Sequence, residues 1–461
     1  MTRPARLSII LLAGLAVPAA SLGEPAPAPA PAPTPAAPVR AFPGAEGFGA
    51  FTVGGRGGRV LRVTTLADSG PGSLRAAVEA RGPRTVVFDI GGTIALQAPL
   101  VIRHPGITIA GQTAPGGGIT LRGHELRVAT SEVIIRFLRV RVGDELGVEA
   151  DAISLTAGRN IIIDHCSASW STDETLSVSQ QLTRGEGQLD AVTVQWSIIA
   201  ESLDQSVHSK GAHGYGSLVR GSAGSRYSFH HNLWAHHRAR MPRPGNFADP
   251  VEDPDGPVFD FTNNLFYNWG GDASDGAGYN VDRAAVSRYS FRANAYLPGP
   301  QSQGLWAFVE SAPGARAFFE GNSLNGVVPD QASLVRMRRP VAGYFSVEPF
   351  ANGGLVARPV AEVPDILLAR AGASRVRDTV DARIVESVRA RSGAIINSQR
   401  EVGGWPDLAP GTPWTDTDGD GMPDSWEAAR GLDPRNPADG TADSNGDGHT
   451  NLEDWLNSLV P

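Results

Sequence analysis

The sequence predicts an all-β protein: a right-handed parallel β-helix, a solenoid of stacked strands, followed by a small C-terminal calcium-loop module. Three observations predict it. A short β-prone run recurs along the middle of the chain, and each run ends at a small or amide residue. Those terminal residues recur every 28 to 35 positions, with glycine turns and no clear helix between them. Two copies of a twelve-residue acidic loop, 27 positions apart, lie near the C-terminus.

Residues 1–23 read as a secretory leader. Arg3 and Arg6 give a positive start, Leu7 to Val17 is apolar, and Ala19, Ala20, Ser21 and Gly23 offer small residues for cleavage. The run is too short to span a bilayer, and no later stretch reaches that length. A secreted protein, extracellular or periplasmic and without a membrane span, is therefore expected. Residues 24–39 largely alternate Pro and Ala, the composition of a semi-rigid spacer. Cys166 is the single cysteine, so no intramolecular disulfide forms, and a small buried core thiol is expected.

Residues 40–408 carry the repeats. The runs are Asn160–Cys166, Ala191–Ser197, Arg226–Asn232, Val258–Asn264 and Arg288–Asn294, with a looser copy at Ala315–Asn322. Their last residues form the column Cys166, Ser197, Asn232, Asn264, Asn294, Asn322, and Ile107–Ala110 and Val133–Val142 continue the rhythm upstream. One coil cannot bury its apolar face alone, whereas stacked coils share a continuous core. Asn recurring at one position predicts an amide ladder. A propeller or sandwich fits less well, because each period has one dominant strand signal. Within 366–398, interleaved charges suggest helix packed over the last coils or beside them.

Net charge is −8 over 461 residues, yet residues 413–461 alone hold 11 acidic and 2 basic residues. The body is near neutral, which excludes a basic nucleic-acid surface. In the tail (409–461), Asp416, Asp418, Asp420, Asp424 and Glu427 fall at positions 1, 3, 5, 9 and 12 of a calcium loop, with Gly421 at position 6. Asp443, Asn445, Asp447, Asn451 and Asp454 repeat the pattern. The pair resembles dockerin-type and thrombospondin type-3 repeats, which implies a structural module or one that attaches to a surface or partner.

In the body, Ala41–Gly49, Ser69–Arg75, Val87–Thr93, Ile109–Gly116 and Ile163-Asp164-His165 resemble the pectate lyases of polysaccharide lyase family 1. The resemblance runs from about Ala41 to Pro406. It implies a monomeric enzyme that cleaves polygalacturonate by calcium-assisted β-elimination, leaving unsaturated oligogalacturonides. Such chemistry removes the proton on carbon 5 beside a carboxylate and expels the oxygen on carbon 4. A metal and cations that neutralise the carboxylate make the developing charge tolerable. The resemblance implies Ca²⁺ ligands among Glu149, Asp151, Asp173 and Glu174, a substrate-gripping Lys210, and Arg240 as the proton-abstracting base. The second arginine of the family motif would fall at Gly245, and Arg243 is the candidate to replace it. Lys210 is also the one lysine among 40 basic residues, and it is chemically the easier base, because guanidinium hardly ever deprotonates.

Three other functions fit the residues less well. A zinc hydrolase is suggested by His165, His208, His213, His230, His231, His236 and His237, but none has His-Glu-x-x-His spacing, and stacking within the coils is expected instead. A β-helical glycoside hydrolase needs carboxylates but no cationic set, and an adhesin has no use for acids and bases placed together.

Overall fold

The computed structural model describes residues 1–2, 11–14, 38–180, 187–222, 224–270, 276–280 and 285–460. The expected leader and spacer fall mostly outside the described residues. The chain divides into two units, Met1–Pro38 and Val39–Pro461. Among the described residues, every strand and helix lies in the second.

The second unit is a parallel β-helix, as the repeats predict. Ten strands run side by side along one sheet, from Arg59–Val63 through Ile107–Ala110, Val133–Arg136, Ile153–Asp164, Leu189–Gln195, Arg226–His230 and Val258–Thr262 to Ala315–Glu320. Five more branch from it through the long strand Ile153–Asp164, including Leu126–Ala129, Leu176–Ser179, Leu218–Gly221 and Arg243–Asn246. A nine-stranded sheet from Gly92–Ala95 to Ser323–Leu324 forms another wall, and a three-stranded sheet begins at Gly276–Asn280. The named strand pairings are parallel, as in Val192 opposite Tyr227 and Tyr227 opposite Phe259.

The predicted column is a ladder. Asn264 Oδ1 accepts from Asn232 N at 3.0 Å, Asn294 Oδ1 from Asn264 N at 2.9 Å, and Asn322 Oδ1 from Asn294 N at 3.0 Å. Each amide also donates to a carbonyl of the preceding coil, Asn264 to Phe229 and Asn294 to Phe261. The ladder works because the residue before each rung turns left-handed: His165, Trp196, His231, Asn263 and Ala293 have φ between 48° and 55°. Such backbone is costly for residues other than glycine, and the buried amide bonds hold it in place. Inside the coils, Phe229, Phe261, Phe291 and Phe319 stack in a row at centroid spacings of 4.8–5.6 Å, close to the spacing of neighbouring strands.

Cys166 is buried, with its thiol pushed up to about 12 by burial. The stretch expected to be partly helical contains helices Val363–Arg370 and Thr379–Arg389. They lie beside the coils, covering the nine-stranded wall from Trp170 to Leu297. Buried Arg141 binds Asp378 and Asp381, and Arg383 binds Glu201. Among the described residues, no helix is long and apolar enough to cross a membrane.

Candidate active site and cation sites

Strand register assembles the site. Ile153 lies opposite Leu176, so Asp151 is level with Glu174 on the next coil. Glu174 is bridged to Tyr215 and Tyr215 to Ala239. One row across four coils therefore carries Asp151, Glu174, Tyr215 and Ala239, with Asp173 and Arg240 adjacent. Carboxylate oxygens of Asp151, Asp173 and Glu174 lie within 4.8 Å of one another. Three of the four acids proposed from sequence thus converge. Glu149 stands slightly apart: it accepts from Ser209 N at 2.7 Å and is 3.6 Å from His208 Nε2.

The acids are electrostatically unequal. Burial, then Asp173, push the Asp151 carboxyl well above the usual range. For Asp173 the upward push of burial is outweighed by a hydrogen bond and charge from His213, with His208 and Arg240 adding to it, so its pKa is lowered. A cavity of about 250 Å³ opens here, lined by Glu125, Glu149, Asp151, Asp173, Glu174 and Arg127 among others. Five acids against two guanidinium groups, those of Arg127 and Arg240, suit a cation. The oxygen donors favour a hard ion such as Ca²⁺. A second group, Asp173 with His208 and His213, could in principle take a softer metal. However, His208 Nδ1 accepts from Lys210 N at 3.1 Å, so the neutral ring carries its proton on Nε2 and offers no lone pair there.

Arg240 faces the acids. Its residue is left-handed (φ 61°), its guanidinium pairs with Glu174 and lies 3.9 Å over the Tyr215 ring, and its Nε donates to Tyr279 Oη at 3.3 Å. The Arg243 guanidinium lies over the Tyr279 ring, 5.5 Å from its centroid. Lys210 is exposed beside His208. His213, Tyr215 and Tyr279 join the site without having been singled out for it from sequence. His213 sits on an irregular segment and Tyr215 on an isolated bridge, where periodicity gives no signal, and Tyr279 on the strand Gly276–Asn280, outside the repeats that the sequence marks; the density of histidines around Lys210 was the one available hint.

His165, His230, His231, His236 and His237 are buried within the coils. His165 stacks on Phe137 and Trp196, and Trp196 on His231. Burial lowers His230 to about 3, His236 to about 4 and His237 to about 3. His236 hydrogen-bonds Ser387 of the covering helix Thr379–Arg389, and His237 hydrogen-bonds Ser202.

The two tail loops share one internal pattern. Asp416 accepts from Gly419 N and Gly421 N, as Asp443 does from Gly446 N and Gly448 N. Asp424 accepts from Thr417 N, as Asn451 does from Ser444 N. Asp416 also pairs with Arg62 of the body, and Asn445 donates to Asp454 at 2.8 Å. Burial, then neighbouring carboxylates, push Asp420 up to about 7 and Glu427 up to about 8.

Fold and site together define a parallel β-helical protein with an acid-lined pocket and facing guanidinium groups on one wall. No family model matches the chain. It is, however, 38% identical over 431 residues to the probable pectate lyase C of Aspergillus flavus, covering 91% of this chain and 94% of that protein. It is 37% identical over 437 residues to the probable pectate lyase C of Emericella nidulans, with 91% and 93% covered. The chain belongs to the pectate lyase family. Among solved structures, the major allergen from cedar pollen superposes with TM-score 0.52 at 18% identity, over 71% of this chain and 92% of that one. A pectate lyase bound to a hexasaccharide gives 0.51 at 15%, over 72% and 97%. Both share the fold.

Proposed function

We propose that the protein is a secreted, monomeric pectate lyase that cleaves polygalacturonate by calcium-assisted β-elimination, with residues 40–408 carrying the chemistry. The observation that supports this most is the row in which Asp151, Asp173 and Glu174 converge while Arg240 is paired onto Glu174. An acid-lined cavity repels a polyanion unless a cation stands between them. Asp151, Asp173 and Glu174 would hold Ca²⁺, with Glu149 at the rim. The ion would neutralise the galacturonate carboxylate and acidify the proton on carbon 5.

The chain's own groups supply the rest. Lys210, exposed at the edge of the cluster, grips a substrate carboxylate. Arg240 would take the proton on carbon 5, with Tyr215 and Tyr279 packed against its guanidinium and Arg243 adding positive charge near Tyr279. Arg127 lines both the acidic cavity and a neighbouring basic one of about 600 Å³ with Arg75, Arg103 and His104, a continuation suited to further uronate units. In the tail, residues 409–461, both loops are read as calcium sites of dockerin or thrombospondin type-3 kind. The test is calcium titration of activity: Asp151→Ala should raise the calcium needed for half-maximal rate at least tenfold. An unchanged requirement would remove Asp151 from the site.

A further inference from the structure

Four tail carboxylates have oxygens with nothing to bind. Glu427 is fully buried, and neither of its oxygens has a hydrogen-bond partner. Asp418 and Asp420 each use one oxygen within the loop, on Asp420 N and Met422 N, and leave the other buried and unpartnered. Asp439 uses one on Asp433 N and leaves the other buried in the same way. Ligand atoms of these four groups lie within 4.8 Å of one another. Unpaired buried carboxylates at such spacing are strongly unfavourable without a cation. An all-oxygen set fits Ca²⁺.

Asp439 lies outside the twelve-residue loop, on the linker between the two loops. The linker reaches the site because Gly440 has no side chain: a Cβ there would lie 2.4 Å from Asp420 Oδ2. Two members of the loop pattern are held elsewhere, Asp416 by Arg62 and Asp424 by Thr417.

The same segment is fastened to the β-helix. Met422, at loop position 7, is fully buried in a cluster with Ala110, Leu452, Trp455 and Leu456, packed against Val60. Arg56 pairs with Glu453 at 2.9 Å, and Arg136 donates to Asn457 at 3.0 Å. Residues around the loop are thus gripped by Val60, Arg62 and Ala110 of the early coils.

We propose that one Ca²⁺ held by Asp418, Asp420, Glu427 and Asp439 locks the C-terminal segment onto the first coils, so that this ion stabilises the body itself. This rests on the calcium-loop reading of the tail and adds Asp439 as a ligand and the body as what the ion holds. Ion binding fixes Met422 and Asp416 on one loop, and through them Val60 and Arg62.

Equilibrium dialysis of the full chain against Ca²⁺, with hydrogen exchange, tests it. Asp439→Asn and Glu427→Gln should each bind one ion fewer than wild type at a concentration that saturates wild type. Their turnover of polygalacturonate in saturating calcium, below the melting temperature, should be unchanged. In wild type, chelation should raise exchange at Arg59–Val63 as well as across 416–460. Asp439→Asn binding as many ions as tightly as wild type would overturn the ligand set. Exchange at Arg59–Val63 that stays fixed while 416–460 opens would overturn the lock. Loss of the ion in a protein inactive on polygalacturonate would count against the proposed function and support this site.

Discussion

Lys210 and Arg240 carry the same charge in different surroundings. Lys210 is exposed, whereas Arg240 is held by Glu174, Tyr215 and Tyr279. A carboxylate grip acts in ground and transition states alike, while a base acts mainly in the transition state. Lys210→Ala should therefore raise KM markedly and lower kcat as well, and Lys210→Arg should recover part of the loss. Arg240→Lys should lose kcat by roughly 10²-fold or more with a smaller change in KM. Steady-state kinetics on polygalacturonate, with folding checked by circular dichroism, decides it. If Arg240→Lys keeps wild-type kcat while Lys210→Arg is dead, the roles are exchanged. Arg240 is paired with Glu174, so reaching the proton on carbon 5 requires that Glu174 turn elsewhere, and Glu174 is itself one of the three converging acids. At this scale the sequence disclosed the charged residues, because their types and order match a family pattern. It did not disclose His213, Tyr215 or Tyr279, whose approach depends on how an irregular segment, an isolated bridge and a strand of the three-stranded sheet stack across coils.

At the scale of elements, the asparagine ladder makes a quantitative expectation. Asn264 accepts from both the backbone and the side chain of Asn232 and donates to Phe229 O and Asn294 Oδ1. Asn264→Ala leaves buried donors and acceptors unpaired and should cost about 2–4 kcal/mol, read as a shift in denaturant midpoint. A change below about 0.5 kcal/mol, the range of an ordinary surface substitution, would mean that the rungs do not support one another. The buried histidines set the acid limit. His230, His236 and His237 have folded values near 3, 4 and 3, below the ordinary 6.5. The unfolded chain therefore takes up their protons first. Their contribution is complete above about pH 6.5 and is lost as pH falls toward 4, at up to about 1.4 kcal/mol per pH unit for each. The melting temperature should fall steeply over that window, and a flat profile would contradict the assignment of these rings to the folded core. The ladder was legible in the sequence because asparagine marks four successive coils, from Asn232 to Asn322. Where the helices Val363–Arg370 and Thr379–Arg389 pack was not, since their anchors, Arg141 to Asp378 and Arg383 to Glu201, join residues far apart in the chain.

On the scale of the whole molecule, the tail is where sequence and structure diverge most. Its loops are plain in the sequence, since carboxylates at fixed spacing are a local pattern. Its place against the early coils is not, because Arg62 and Asp416 are 354 positions apart. A truncation ending at Leu408 should keep its catalytic rate below its melting temperature, because the row from Asp151 to Arg240 contains no tail residue. It should also melt lower than the full chain, having exposed Val60 and Ala110. A truncated protein that is folded but inactive would place the tail in the catalytic machinery. The bond-breaking step is read directly by ultraviolet absorbance and reducing ends counted together on polygalacturonate, with and without a calcium chelator. β-Elimination predicts one unsaturated, ultraviolet-absorbing end for every new reducing end, both abolished by chelation and restored by added Ca²⁺. Reducing ends without that absorbance would mean hydrolysis and would contradict the account.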